Sequence, residues 1–125
     1  MTRFGFALAA GLLFVAVGCG SSNPRQLQSI DITSSPANGS VQFVSTGHFS
    51  KAPTSVSPLP VMWVVYLPHG ESGPTIDQSG LAQCGAGVSG TFMILAYAPA
   101  DPNIPIKIPL PPVKTVLGTT TLNCP

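Results

Sequence analysis

The sequence predicts an all-β fold, a sandwich of about seven short strands. Three observations lead there. Fourteen prolines and thirteen glycines among 125 residues interrupt any helix of ordinary length, because proline removes a helix donor and glycine costs backbone entropy. Apolar residues recur with period two, the spacing at which side chains share one face of a strand. Turn-forming clusters separate these stretches at short, regular intervals. With 44% hydrophobic and only 7% charged residues, the chain is too apolar to read as disordered. Its length allows a single core.

Leu27 to Thr33 opens the series, with Ile30 and Ile32 on one face and Asp31 between them. Ser34 to Gly39 is a turn cluster. Ser40 to Phe49 alternates again, placing Val41, Phe43, Ser45 and Phe49 opposite Gln42, Thr46 and His48. Lys51 to Pro60 is proline-rich and polar, hence a loop. Val61 to Leu67 is an uninterrupted apolar run with the only tryptophan, Trp63, and predicts a central buried strand. After a loop over Pro68 to Pro74, Thr75-Ile76 turns at Asp77-Gln78-Ser79-Gly80 and returns through Leu81 to Cys84. Gly90 to Ala98 sets Phe92, Ile94 and Ala96 opposite Thr91, Met93, Leu95 and Tyr97. Leu117 to Cys124 closes the domain with threonine-rich β-propensity.

The first residues read differently. Arg3 precedes an uncharged, mostly apolar run from Phe4 to Gly18. It is too short to cross about 30 Å of hydrocarbon but fits the apolar segment of a secretory signal. The run ends Ala16-Val17-Gly18-Cys19, which resembles the lipobox of bacterial lipoproteins, with alanine where leucine is commonest. The resemblance implies a signal over residues 1–18, cleavage before Cys19, a diacylglycerol on its thiol and acylation of the new amino terminus. Residues 19–26 then form a lipidated tether, flexible from Gly20 to Pro24. Gly20 follows the cysteine where an aspartate would cause inner-membrane retention, so the outer membrane is favoured.

The lipobox also explains an odd cysteine count. A thioether-linked Cys19 cannot pair, leaving Cys84 and Cys124 to join in an oxidising envelope. The alternative, two reactive or metal-binding thiols, lacks histidine or further cysteine at ligand spacing.

A second resemblance runs through the mature chain. Leu27-Gln28-Ser29-Ile30-Asp31-Ile32, Gly39-Ser40-Val41-Gln42-Phe43 with Thr46-Gly47, Trp63, Ile76 to Ala82, and Gly90-Thr91-Phe92-Met93-Ile94 occur in that order. The pattern is similar to group 2 bacterial Ig-like domains, modules of surface and adhesin proteins. It covers about residues 26–98 and implies an Ig-like β-sandwich over 27–125, with Trp63 in the core; it does not imply an enzyme. Cys84 and Cys124 have no counterpart in most such domains, and residues 99–112 are an insertion.

That insertion holds six prolines. Ile104, Ile106, Ile108 and Leu110 alternate with Pro105, Lys107, Pro109 and Pro111, which predicts an extended edge segment burying one aliphatic row. The same stripe, if exposed, would bind a partner.

Little else carries chemistry. Gly70 to Pro74 faintly echoes a serine-protease nucleophile loop, but no spacing gathers Ser72, His48, His69 and Asp31 into a triad. Asp31, Glu71, Asp77 and Asp101 are scattered, and Asp77 reads as an Asx-turn residue. Trp63 and Tyr66 could stack a sugar if exposed. Five basic and four acidic residues exclude nucleic-acid binding through phosphate neutralisation. No cofactor fingerprint or metal spacing is present. The expectation is a lipid-anchored envelope protein with a non-catalytic structural, adhesive or partner-binding domain. Its partner would be another envelope protein or a polysaccharide. The alternative is a ligand-binding lipoprotein serving a transporter or enzyme, favoured by a pocket lined by Trp63, Tyr66 and Tyr97.

Overall fold

The computed structural model describes residues 23–107 and 111–125, and every regular element among them is a strand. These are β1 (Leu27–Ala37), β2 (Ser40–Phe49), β3 (Ser55–Val56), β4 (Met62–Tyr66), β5 (Thr75–Ile76), β6 (Leu81–Gln83), β7 (Gly90–Pro99) and β8 (Thr115–Cys124). One sheet runs β1-β2-β6-β5, with β3 also against β2, and the other runs β4-β7-β8. Apart from β3, this is the A-B-E-D and C-F-G order of an immunoglobulin constant-type sandwich. The described strands number eight, and β1, β2, β7 and β8 are ten or eleven residues long rather than short.

Local chemistry explains where sequence expectation and structure part. The turn expected over Ser34 to Gly39 is confined to Asn38-Gly39, and β1 continues to Ala37. Both turn residues adopt positive φ, 52° and 84°, as a two-residue hairpin requires. Pro36 is tolerated within β1 because that strand lies at a sheet edge. The Lys51 to Pro60 loop contains the short β3, which pairs with β2 at Gly47 and His48. The apolar run at Trp63 is an edge strand, not a central one: β4 pairs only with β7.

The core lies between the sheets. Phe43, Ser45 and Phe49 of β2 face Ile94, Ala96 and Ala98 of β7, with Leu122 of β8 and Trp63 of β4 beside them. Each large apolar side chain so buried contributes roughly 1.5–3 kcal/mol against exposure. The Phe43 and Trp63 rings meet at 6.2 Å between centroids. On one flank the sheets nearly touch, where a Cβ at Gly118 of β8 would sit 2.8 Å from the Ile30 carbonyl oxygen of β1. On the opposite flank β5 meets β4, but β6 pairs with β2 only at Val41 and Gln42, so the rest of β2 is separated from β4 by an opening bordered by connecting segments. There Ser45 Oγ donates to the Leu59 carbonyl at 2.6 Å, and the Leu59 amide donates to the Ser45 carbonyl at 2.9 Å.

Alternating strand directions give the sandwich two distinct ends. The chain enters at the base, beside the 50–61 and 100–114 connections. The Asn38-Gly39 turn and the 67–74 and 84–89 loops lie at the distal end. There Cys84, just after β6, is bonded to Cys124, the last residue of β8, with Cα atoms 5.6 Å apart. The bond therefore staples one sheet to the other far from the point of entry.

Candidate functional site

Period two distributes the apolar residues of the β4-β7-β8 sheet over both faces. The inner face carries Trp63, Ile94, Ala96 and Leu122. Register places three rows on the outer face: Met62, Tyr97 and Leu117; Val64, Leu95 and Thr119; Tyr66, Met93 and Thr121. Seven of these nine side chains are large and apolar or aromatic, and none is Asp, Glu, Lys, Arg or His. Tyr66 and Leu117 are each 50% exposed and Met93 45%. Leu95, at the centre, is buried. Thr91, Thr115 and Asn123 border the patch, and Thr91 Oγ1 donates to Asn123 Oδ1 at 2.8 Å.

The outer face of the other sheet is unlike it. Ser29, Asp31, Thr33, Gln42, Thr46 and His48 share that surface, and His48 Nε2 lies 2.7 Å from Asp31 Oδ2. This contact joins diagonal neighbours across the β1–β2 ladder. It brings together two members of the imagined triad, but among the described residues no hydrogen bond connects Ser72 to either histidine. His69 instead uses its backbone N–H, which donates to Glu71 Oε1 at 3.0 Å.

Asp77 does what a turn residue should. Its Oδ1 accepts from the Ser79 amide at 2.9 Å, Ser79 Oγ at 2.5 Å and the Leu81 amide at 3.1 Å. The Ser79 hydroxyl first, then the Leu81 amide, hold its carboxyl below the usual carboxylate range, because each donor favours the ionised form. No group of three or more metal-ligating side chains forms among the described residues.

The open flank contains a cleft of about 810 Å³ lined by Phe43, Trp63, Val61, Leu59, Pro58 and Ile106 among others. Its polar groups are already engaged. Ser45 is bonded to Leu59, Gln42 Nε2 donates to the Phe43 and Ser79 carbonyls, and the Gln78 amide reaches both backbone groups of Trp63 at 3.4 Å. The imagined pocket of Trp63, Tyr66 and Tyr97 does not form, because Trp63 faces the core and both tyrosines face outward. For the same reason Trp63 and Tyr66 make no sugar platform.

In the proline-rich connection, Ile104 and Ile106 are half-buried while Pro105 and Lys107 are exposed. The expected alternation is present, with Ile106 packed against the core. The described part is not a strand: the Ile104 amide donates to the Asp101 carbonyl and the Asn103 amide to Asp101 Oδ1, forming turns. Both isoleucines line a smaller pocket with Leu27 and Phe49. Ile108 and Leu110 lie outside the described residues, as does Cys19. The outer face of β4-β7-β8 escaped the sequence reading, although Met93, Leu95 and Tyr97 signalled it by being as apolar as the row opposite. No protein family model, curated protein or solved structure matches the chain.

Proposed function

We propose that the chain is a lipid-anchored cell-envelope protein whose Ig-like domain binds a protein partner and performs no catalysis. The lipobox at Cys19 supports the anchor, with the outer membrane the favoured site, and two acyl signals suffice for stable attachment. The apolar, uncharged outer face of β4-β7-β8 carries the binding reading. At strand spacing of about 4.8 Å and a rise of about 3.3 Å per residue, its three rows cover roughly 300 Å². Patches of about 300–600 Å² on monomers are often functional. A Tyr- and Met-containing centre inside an uncharged polar border is the anatomy of a protein interface, where charge is depleted and aromatics and methionine are enriched. Threonine neighbours must contribute, since a standard interface covers about 800 Å² per partner. The occupant is therefore an uncharged, apolar protein surface.

A photoreactive residue introduced in cells at Met93 or Leu117 tests this. Both positions should give one discrete protein adduct, and Ser29 on the other sheet should give none. Substituting Tyr66→Lys should abolish the adduct from Met93. Adducts of equal yield from both sheets, or none from Met93 and Leu117, would contradict the reading. The ligand-binding alternative draws on the cleft lined by Phe43, Trp63 and Leu59, whose size suits a small molecule. Its engaged polar groups leave little to orient one.

A further inference from the structure

The net charge of +1 conceals a segregation. After Arg3, the basic residues of the chain are Arg25, Lys51, Lys107 and Lys114. Arg25 and Lys51 are in the base itself, Lys114 leads from it into β8, and Lys107 lies in the connection that leaves and re-enters it. The only carboxylate in those segments is Asp101; Asp31 is on β1, Asp77 beside β5 and Glu71 in a distal loop. Lys51, Lys107 and Lys114 are exposed.

Arg25, Lys51 and Lys114 stand on a continuous backbone network. The Ser50 amide donates to the Gln26 carbonyl at 2.9 Å, the Leu27 amide to Ala100 at 2.8 Å, and the Ala100 amide to Lys114 at 2.9 Å. Arg25, expected in the tether, is tied into the domain. It donates from Nε to the Lys51 carbonyl and from Nη2 to the Pro53 carbonyl, with its guanidinium 3.8 Å above the Phe49 ring. Lys51 Nζ donates in turn to the Asn23 carbonyl. Val113, next to Lys114, is among the exposed large apolar residues.

We infer that this base, with Arg25, Lys51 and Lys114 and the exposed Val113 beside Lys114, docks on an anionic phospholipid bilayer and holds the sandwich upright. The inference rests on the anchored reading for its setting. Cys19 lies four residues before Asn23, so at most about 14 Å of chain separates the acylated residue from the ordered base. A basic residue beside an anionic surface gains roughly fivefold in binding. Three such residues less Asp101 shift the docked-to-undocked ratio roughly 25-fold. Salt removes the effect, because the screening length falls to about 3 Å at 1 M. In this orientation the disulfide end points away from the lipid and the apolar face of β4-β7-β8 stands sideways, open to a partner.

The test uses full-length protein purified from membranes and mixed with vesicles of phosphatidylcholine alone or with added phosphatidylglycerol. Flotation with phosphatidylcholine alone reports the anchor, since the basic residues gain nothing from a neutral surface. Docking is read by energy transfer to headgroup acceptors from a dye at Asn103→Cys in the base or Ser72→Cys at the distal end. Phosphatidylglycerol should increase transfer from position 103 and decrease it from 72, reversibly in about 1 M salt. Lys51→Gln/Lys114→Gln, checked for folding by circular dichroism, should lose essentially all of this roughly 25-fold shift. Flotation with both lipids but no response to phosphatidylglycerol overturns the docking and leaves the anchor. Salt-sensitive flotation with phosphatidylglycerol only, with the same transfer change at 103, supports docking and removes the anchor. Flotation with neither overturns both.

Discussion

Removing the Cys84–Cys124 bond should cost the domain a large part of its stability. The bond spans a sequence separation of 40, so in the unfolded chain it closes a loop of about forty residues. Chain-entropy theory gives a loss near 13 cal/mol/K for such a loop, or roughly 4 kcal/mol at 25 °C. Domains of this size are stable by only about 5–15 kcal/mol. The expected Tm shift is about 15–30 °C, at about 4–8 °C per kcal/mol. Cys84→Ala/Cys124→Ala avoids leaving a free thiol, and urea unfolding of the variant against the oxidised protein supplies both midpoint and slope. The variant's slope should rise, because an uncrosslinked unfolded chain exposes more surface. A variant that loses less than about 1 kcal/mol would refute the reasoning, and would mean that contacts other than the bond restrict the unfolded chain.

Three further outcomes follow from single residues. Gly118→Ala forces a Cβ to within 2.8 Å of the Ile30 carbonyl oxygen and 2.9 Å of its side chain. It should destabilise by about 1–3 kcal/mol, and a thermal melt equal to that of the parent would mean the closed flank is looser than described. Ser45→Ala removes the bond to the Leu59 carbonyl from a position only 2% exposed, costing about 1–2 kcal/mol in urea unfolding; an unchanged midpoint would contradict this. Asp77 has a depressed carboxyl in the folded state, so its stabilisation is present above the unfolded value near 3.8 and is lost as pH falls through the folded value. Asp77→Ala should thus be less stable than the parent at neutral pH, with the gap closing in acid; a pH-independent gap would remove the carboxylate from the account.

Much of the fold was legible because burial on one side only leaves a period-two record. The inward row Phe43, Ser45 and Phe49 and the pair Ile94 and Ala96 can be read directly from the chain. Even the Asp77 turn follows from its residue types. What alternation does not encode is which strands lie at an edge. The run through Trp63 is apolar on both faces, and it looked central because Val64 and Tyr66 cover an exposed outer surface. Pro36 looked like a terminator for the same reason, since only sheet order shows that its missing donor is not needed. The insertion's alternation at Ile104 and Ile106 was real, but turn bonds to Asp101 replaced the strand. Charge segregation was hidden by linear distance: positions 25, 51 and 114 are far apart in sequence and meet because alternate connections of a sandwich emerge at one end.

The anchored, stapled domain is tested most directly by the intact mass of protein purified from membranes, taken before and after reduction and alkylation. The account predicts residues 19–125 carrying acyl chains, with no alkylation until the Cys84–Cys124 bond is reduced. An unacylated mass, or a Cys19 that alkylates freely, would contradict it.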